Sequence, residues 1–304
     1  MLSKKSKKPQ DKVSPSPVFL IAAPRTGSTL LYQLLLKKFQ LGYVSNFTNK
    51  FFPRRPYLGG LIQRIVISAS IRGPQIYPSR YGKIKGAFAP SEGSNILKVF
   101  FGGEHPSQIK SCAPINGKEA DLVDTFSMLE KVLGKRLLIK NAWNCFRVAS
   151  LSNLFPTSSF IWLKRDIVAA ANSDLEARVV TKGSPRVWNS ATPANYRELL
   201  RQPFWEQVVE NQYQFNAAVD NGLKAVPAAR WSSVWYEDLM LNPDETLSSI
   251  GSQLRLTPRN YHRDADGNGV SALHLMSLEG KYLSKIEKYV SENPSTYGQQ
   301  KYNG

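Results

Sequence analysis

Residues 18–23, Val-Phe-Leu-Ile-Ala-Ala, form an unbroken apolar run. A run this short, bounded by polar residues, predicts a strand buried on both faces. Residues 24–29, Pro-Arg-Thr-Gly-Ser-Thr, break it with a tight polar turn, and residues 30–39 follow with apolar positions suited to a helix. The same rhythm returns later. Residues 137–141 predict a strand, residues 146–155 a helix, and Phe155-Pro156 a turn. Residues 160–163 then predict a short buried strand and residues 167–177 a helix. Strands alternating with helices predict an α/β fold: a central parallel sheet flanked by helices. Residues 58–71 and 277–290 predict further helices, and residues 264–269 a polar turn. Asn242 predicts a helix cap, with Pro243 at the first position and Glu245 three residues on. Between residues 40 and 115 the pattern weakens, and nine Phe and Tyr side chains crowd residues 47–101. They either shape a pocket or cover the core.

The turn at residues 24–29 carries chemistry. A strand feeding a helix through such a turn converges backbone N–H groups, hydroxyls, a cation and the positive end of the helix dipole. Gly27 lets the backbone come close to an anion. Arg25 offers a planar fork for phosphate or sulfate. The plainer alternative is a polar loop between strand and helix. The nucleotide P-loop is a poor match, because it needs two glycines and a Lys before Ser/Thr. Arg165 and Asp166 end a second predicted strand, where parallel sheets place ligands. Ser173 follows eight residues later. Either Arg165 and Ser173 share an anion, or Arg165 pairs with Asp166 and Ser173 faces solvent.

The stretch Pro-Arg-Thr-Gly-Ser-Thr-Leu-Leu resembles the 5′-phosphosulfate loop of the sulfotransferases. These enzymes use 3′-phosphoadenosine 5′-phosphosulfate (PAPS) as sulfuryl donor and release adenosine 3′,5′-bisphosphate (PAP). Arg in place of Lys at residue 25 is similar to the carbohydrate- and protein-sulfating branches and to many bacterial members. An Arg and a Ser spaced like Arg165 and Ser173 hold the donor's 3′-phosphate in that family. A strand ending in Lys, a helix, a Phe-Pro turn and an Arg-Asp strand also recur there. So does a Tyr-Glu-Asp-Leu run, here residues 236–239, before a Pro-headed helix. The segment Ser79-Arg80-Tyr81-Gly82-Lys83 with Pro90-Ser91-Glu92 is similar to a pattern in bacterial members. The resemblance spans residues 18–256.

It implies a P-loop-like sulfotransferase fold and a set of roles. Arg25, Thr26, Gly27, Ser28, Thr29 and Leu30 would hold the phosphosulfate end of the donor, and Arg165 and Ser173 the other end. Tyr236 joins the donor contacts, and Lys281 either reaches the donor's 3′-phosphate or is a solvated lysine. Arg25 would also stabilise charge during transfer. The base that takes the acceptor proton is Glu92 first, then His105, with Glu104 also bordering the acceptor. Lys140 would touch the bridging oxygen or the acceptor, with Asn141 and Asn144 behind it. Fixed cations do the work, so no metal is expected. The acceptor offers a hydroxyl or an amine, on a glycan, a lipid head group or a small molecule.

Length and charge frame these expectations. A chain of 304 residues, 42% of them hydrophobic, suits one large α/β domain or two small ones, and the resemblance implies a single domain over residues 18–304. Residues 40–115 form its acceptor-side insertion. The first 17 residues hold five Lys, four Ser and three Pro and read as a disordered basic tail. The net charge of +17 and pI near 9.8 call for anionic partners: nucleic acid, a membrane surface or an anionic small molecule. PAPS answers part of that charge. A nucleic-acid binder would show salt-sensitive affinity but does not explain Arg and Ser at strand ends, so no nucleic acid is expected. A P-loop-like phosphotransferase or NTPase is the other rival, and the missing Gly-Lys-Ser/Thr argues against it. Two cysteines form no disulfide framework and no zinc spacing, which favours a reducing compartment. No apolar run approaches the ~20 residues that cross a bilayer. The expected location is cytoplasmic, with peripheral membrane contact open.

Overall fold

The computed structural model describes residues 14–69, 77, 79–80, 83–103, 112–115, 117–259 and 281–295. The chain opens with β1 (Val18–Ala22), α1 (Ser28–Lys38), β2 (Leu41–Gly42), α2 (Asn46–Phe51) and α3 (Pro56–Ala69). A small hairpin follows, β3 (Ser79–Arg80) and β4 (Lys83–Ile84), then α4 (Ser94–Phe101), α5 (Glu119–Leu133) and β5 (Arg136–Lys140). A 3-10 turn over Ala142–Arg147 runs into α6 (Val148–Leu154), β6 (Ser159–Lys164) and α7 (Ile167–Lys182). The remainder is α8 (Tyr196–Leu199), α9 (Phe204–Leu223), β7 (Trp231–Trp235), α10 (Tyr236–Leu241), α11 (Pro243–Gln253) and α12 (Leu283–Glu292).

Five strands form one parallel sheet in the order β2-β5-β1-β6-β7. β1 is central and buried along its whole length. Its side chains alternate between two cores, as the period of two demands. Val18, Leu20 and Ala22 join Leu31 and Leu35 of α1, Leu239 of α10, and Leu247 and Ile250 of α11. Phe19 and Ile21 join Phe126 of α5, Leu151 of α6, and Phe215 and Val219 of α9. Fully burying each such side chain contributes about 1.5–3 kcal/mol, so these layers, rather than helix propensity, fix the sheet. A third cluster ties α7, α9 and α12 together through Leu175, Val208, Val209 and Ile286.

The topology chooses the site. β1 connects through α1 toward β2 on one side of the sheet, and β6 connects toward β7 on the other. Neighbouring strands whose connections part in this way leave a crevice outside their carboxyl ends. Both motifs singled out in the sequence sit there.

Some expectations shift. The helix at residues 146–155 divides, because the Asn141 side chain accepts from the Trp143 N–H (3.1 Å) and caps a 3-10 turn before α6 starts. The helix after β6 runs on to Lys182 and stops where Gly183 takes φ 73°. α3 starts at Pro56, two residues earlier than the apolar pattern suggests, since Pro is favoured in a helix's first turn. Asn242 precedes α11 with Pro243 at its head, but its side chain makes no cap bond. The expected helix at residues 277–290 is α12, and residues 277–280 lie outside the described part, as do residues 264–269. Residues 1–13 of the basic start also lie outside it. Residues 15–17 are bonded to the fold: Arg136 Nε donates to the Ser16 carbonyl (2.7 Å) and Ser159 N–H to the Pro17 carbonyl (3.0 Å). No helix among the described residues is long and apolar enough to cross a membrane.

Candidate active site

A cleft of about 1040 Å³ opens over the carboxyl ends of β1, β5 and β6. Of the residues the sequence singles out, Arg25, Gly27, Ser28, Thr29, Leu30, Glu92, Lys140, Asn141, Arg165, Ser173 and Tyr236 line it.

The loop after β1 is wound tightly. Thr26 is 1% exposed and spends its hydroxyl on the Ala23 carbonyl (2.8 Å), so that hydroxyl locks the turn rather than facing the cleft. Arg25 holds φ 67° and Gly27 φ 86°. A non-glycine residue in that region carries of order 1–3 kcal/mol of strain, which other contacts must offset. Gly27 is required for a second reason. A Cβ there would lie 2.4 Å from the Tyr236 ring, which presses on the loop from the end of β7. No side chain caps α1. The Leu30 and Leu31 N–H groups both turn to the Gly27 carbonyl, at 3.0 and 3.3 Å. Those two amides are spent inside the first turn, so the donors left at the start of α1 are the N–H groups of Ser28 and Thr29, with the positive end of the helix dipole behind them.

Arg165 leaves the end of β6 and binds the same loop. Its Nη1 donates to the Arg25 carbonyl (2.9 Å), and its guanidinium lies 4.6 Å from the centre of the Tyr236 ring. Arg165 Nε is buried without a hydrogen-bond partner. Asp166 does not pair with Arg165 as the alternative had it. It caps α7 by accepting from the Ala169 N–H (2.8 Å), which spares Arg165 for the cleft. Ser173 is 3% exposed, one turn and a half into α7, and its Oγ meets Arg25 Nη2 at 3.3 Å. The residues expected at opposite ends of one ligand thus share one loop: Arg165 holds the Arg25 carbonyl, and the Arg25 side chain reaches Ser173. Glu237 accepts from the Asp166 N–H (3.2 Å), and burial raises its carboxyl above the usual range.

A second polar group occupies the β5 side. Lys140 Nζ lies 2.6 Å from Glu92 Oε1 and 2.9 Å from Thr29 Oγ1. The Lys140 side chain is 9% exposed and that of Glu92 39%, so the carboxylate opens to the cleft while the ammonium is held behind it. Asn141 braces the same loop through the Ser94 hydroxyl (3.2 Å) and the Glu92 carbonyl (3.4 Å). Tyr32 reaches the Ser91 carbonyl (3.2 Å), and burial, followed by neighbouring Tyr43 and Glu92, raises its phenol well above the usual value.

Other expectations fall outside this arrangement. His105 and Glu104 lie outside the described residues, as do His262 and His274. Lys281 is exposed, lies beside Tyr282 at the approach to α12, and does not line the cleft. Asn144 is buried beside Arg147 and is not a lining residue. The aromatics of residues 47–101 mostly serve packing. Phe47 packs its ring at a tilt against Phe51, Phe52 and Phe88, and Phe100 and Phe101 belong to the core.

Several site residues carry no signal in the sequence. Asn46, Asn49 and Trp143 line one wall, and residues 189–192 another. Trp143 Nε1 is buried without a partner. The 189–192 strap is tied down from below. Ser190 Oγ meets Asp174 Oδ2 at 2.9 Å, and Asn211 Nδ2 donates to Ser190 Oγ (3.3 Å). Asp174 and Arg178 are fully buried as an ion pair at 3.7 Å, with Arg178 stacked 4.5 Å from the Trp188 ring. Burial pushes the Asp174 carboxyl up, against the pull of Arg178 and Ser190. Gln212 of α9 donates to the Pro24 carbonyl (2.8 Å) and supports the loop itself.

The model of the sulfotransferase family matches residues 17–259, four-fifths of the chain. The chain belongs to the sulfotransferase family. Its fold is similar to sulfotransferase STF1 from Mycobacterium tuberculosis H37Rv, with a TM-score of 0.55 at 14% identity, over 93% of this chain and 78% of that one. It is also similar to sulfotransferase STF9 from Mycobacterium avium, with a TM-score of 0.54 at 15% identity, over 94% of this chain and 70% of that one. At such identities the likeness bears on the fold alone. No curated protein matches by sequence. The enzyme is thus a sulfotransferase with a parallel α/β sheet, and neither a phosphotransferase nor a nucleic-acid binder is favoured.

Proposed function

We propose that this sulfotransferase takes its sulfuryl group from PAPS and passes it to a hydroxyl or amine, releasing PAP. The observation that carries the reading is the meeting of Arg25, Arg165 and Ser173 at one mouth of the cleft, with Arg25 Nη2 on Ser173 Oγ at 3.3 Å. Two guanidiniums, a hydroxyl and a glycine-opened helix start suit a ligand with several anionic oxygens. Tyr236, laid over Gly27 and Arg165, supports a flat group beside them.

Glu92 is the base in this reading. The acceptor's proton passes to Glu92 as its oxygen or nitrogen bonds to sulfur. The bond from sulfur to the bridging oxygen breaks, and its electron pair leaves on the phosphate of PAP. Lys140 and the start of α1 stabilise that oxygen's growing charge with donors already in place. Lys140 also holds Glu92 at 2.6 Å, which fixes where the proton is received.

The test is a screen of hydroxyl and amine acceptors with radiolabelled PAPS. The wild-type enzyme should label at least one class. Glu92→Gln should lower kcat about 100-fold or more, the range of general-base contributions, with PAP affinity kept. Full activity in Glu92→Gln would remove it as the base. Absence of labelled product across all classes would count against the transfer as written.

A further inference from the structure

α3 is inverted relative to an ordinary surface helix. Its buried positions are Pro56, Gly59, Gly60 and Gln63, the i, i+3, i+4, i+7 stripe that normally carries large apolar residues. Its large apolar residues point the other way: Leu58, Leu61, Ile62, Ile65, Val66 and Ile67 are 37–61% exposed. Phe51, at the end of α2 and 61% exposed, extends the patch. Of fourteen large apolar side chains exposed among the described residues, seven fall within residues 51–67. Contiguous exposure of this kind marks an interaction surface.

The helix is not free to roll and bury that face. Gln63 is 2% exposed, and its amide accepts from the Ser45 N–H (3.1 Å) and donates to the Tyr43 carbonyl (2.9 Å). A Cβ on Gly59 would sit 2.9 Å from the Thr48 side chain, so α2 and α3 meet at backbone distance. Leaving the patch in water is built into the packing.

Charge selects the occupant. Lys50, Arg54, Arg55 and Arg64 are exposed around the patch. Residues 1–91 contain 16 Lys and Arg and a single acidic residue, Asp11, which gives fifteen of the chain's seventeen net positive charges. A second copy of this chain would bring like charge against like charge. An anionic bilayer meets both features: the aliphatic side chains enter the acyl boundary and the cations stay among the phosphates. Fourteen residues span about 21 Å, a length suited to lying in the interface rather than crossing it.

We propose that the outer face of α3, with Phe51 and the basic turn at residues 50–55, docks the protein on an anionic lipid surface. α2, which α3 grips through Thr48, supplies Asn46 and Asn49 to the cleft wall, so docking brings the cleft to the bilayer. The test is co-sedimentation of the full chain with vesicles of phosphatidylcholine mixed with phosphatidylglycerol, and with phosphatidylcholine alone. Binding should favour the anionic vesicles and weaken as salt rises. The double variant Ile62→Ser/Ile65→Ser should bind at least about tenfold more weakly, since two aliphatic side chains no longer leave water on docking. A variant with Lys4, Lys5, Lys7 and Lys8 all changed to Gln should keep that dependence on Ile62 and Ile65. Both variants should melt with the wild type. Failure of the wild type to sediment with anionic vesicles would overturn the proposal. So would equal binding by the Ile62/Ile65 variant, or a dimer in solution that those two substitutions dissolve. The readout needs neither donor nor acceptor, so it stands or falls apart from the transfer reaction.

Discussion

Gly27 concentrates the account at the residue scale. Its φ of 86° and the Tyr236 ring 2.4 Å from where a Cβ would go leave room for no side chain. Gly27→Ala should therefore displace Tyr236 or unwind the loop, and raise the KM for PAPS by about tenfold or more, in line with the 1–3 kcal/mol of such strain. The check is donor KM alongside a thermal melt; an unchanged KM would mean the loop does not bind the donor as described. At this scale the sequence was legible wherever chemistry was local. Arg25, Gly27, Arg165 and Ser173 lie in two short segments that the resemblance picks out together, and all four line the cleft. Gln212 and Ser190 were not legible, because each acts on a partner far along the chain: Gln212 on Pro24, Ser190 on Asp174. A lone Gln or Ser in such a segment has no pattern of its own.

At the scale of elements, the buried parallel strands were the clearest feature, because burial on both faces writes an unbroken apolar run. The alternation of β1 between its two cores confirms the reason. Where side-chain hydrogen bonds decide the ending, periodicity failed: Asn141 makes a 3-10 turn, and Asn242 leaves its helix uncapped. α3 was predicted as a helix, but which face it buries was not legible, since Gln63 and two glycines overrule the apolar stripe. The join between α7 and the 189–192 strap belongs to the same scale. Asp174→Ala leaves Arg178 buried and unpaired, and should lower unfolding free energy by about 3–5 kcal/mol. It also leaves the Ser190 hydroxyl held by Asn211 alone, so surviving protein should show a raised KM at the cleft with less change in kcat. Chemical denaturation and steady-state kinetics measure the two effects. A loss under 1 kcal/mol would contradict the ion pair's place in the fold.

For the whole molecule, the order β2-β5-β1-β6-β7 explains why two segments about 140 residues apart share one crevice. The alternation of strands and helices foretold the parallel sheet, and the family match agrees with it. What the sequence did not convey is that Arg165 grips the backbone carbonyl of Arg25. Arg25 turns toward Ser173, and Lys140 is left as the cation beside Glu92. The positive charge is also uneven along the chain, gathered in the first 91 residues; Lys50, Arg54, Arg55 and Arg64 are exposed near α3. One measurement tests the core of this account directly: titration calorimetry of PAP against the wild type, Arg25→Ala and Arg165→Ala, with ATP–Mg²⁺ as the comparison. The account predicts one PAP per chain, tighter than ATP–Mg²⁺, and at least about tenfold weaker in each variant, as expected for a lost charged hydrogen bond. Equal PAP affinity in all three proteins, or a preference for ATP–Mg²⁺, would contradict it.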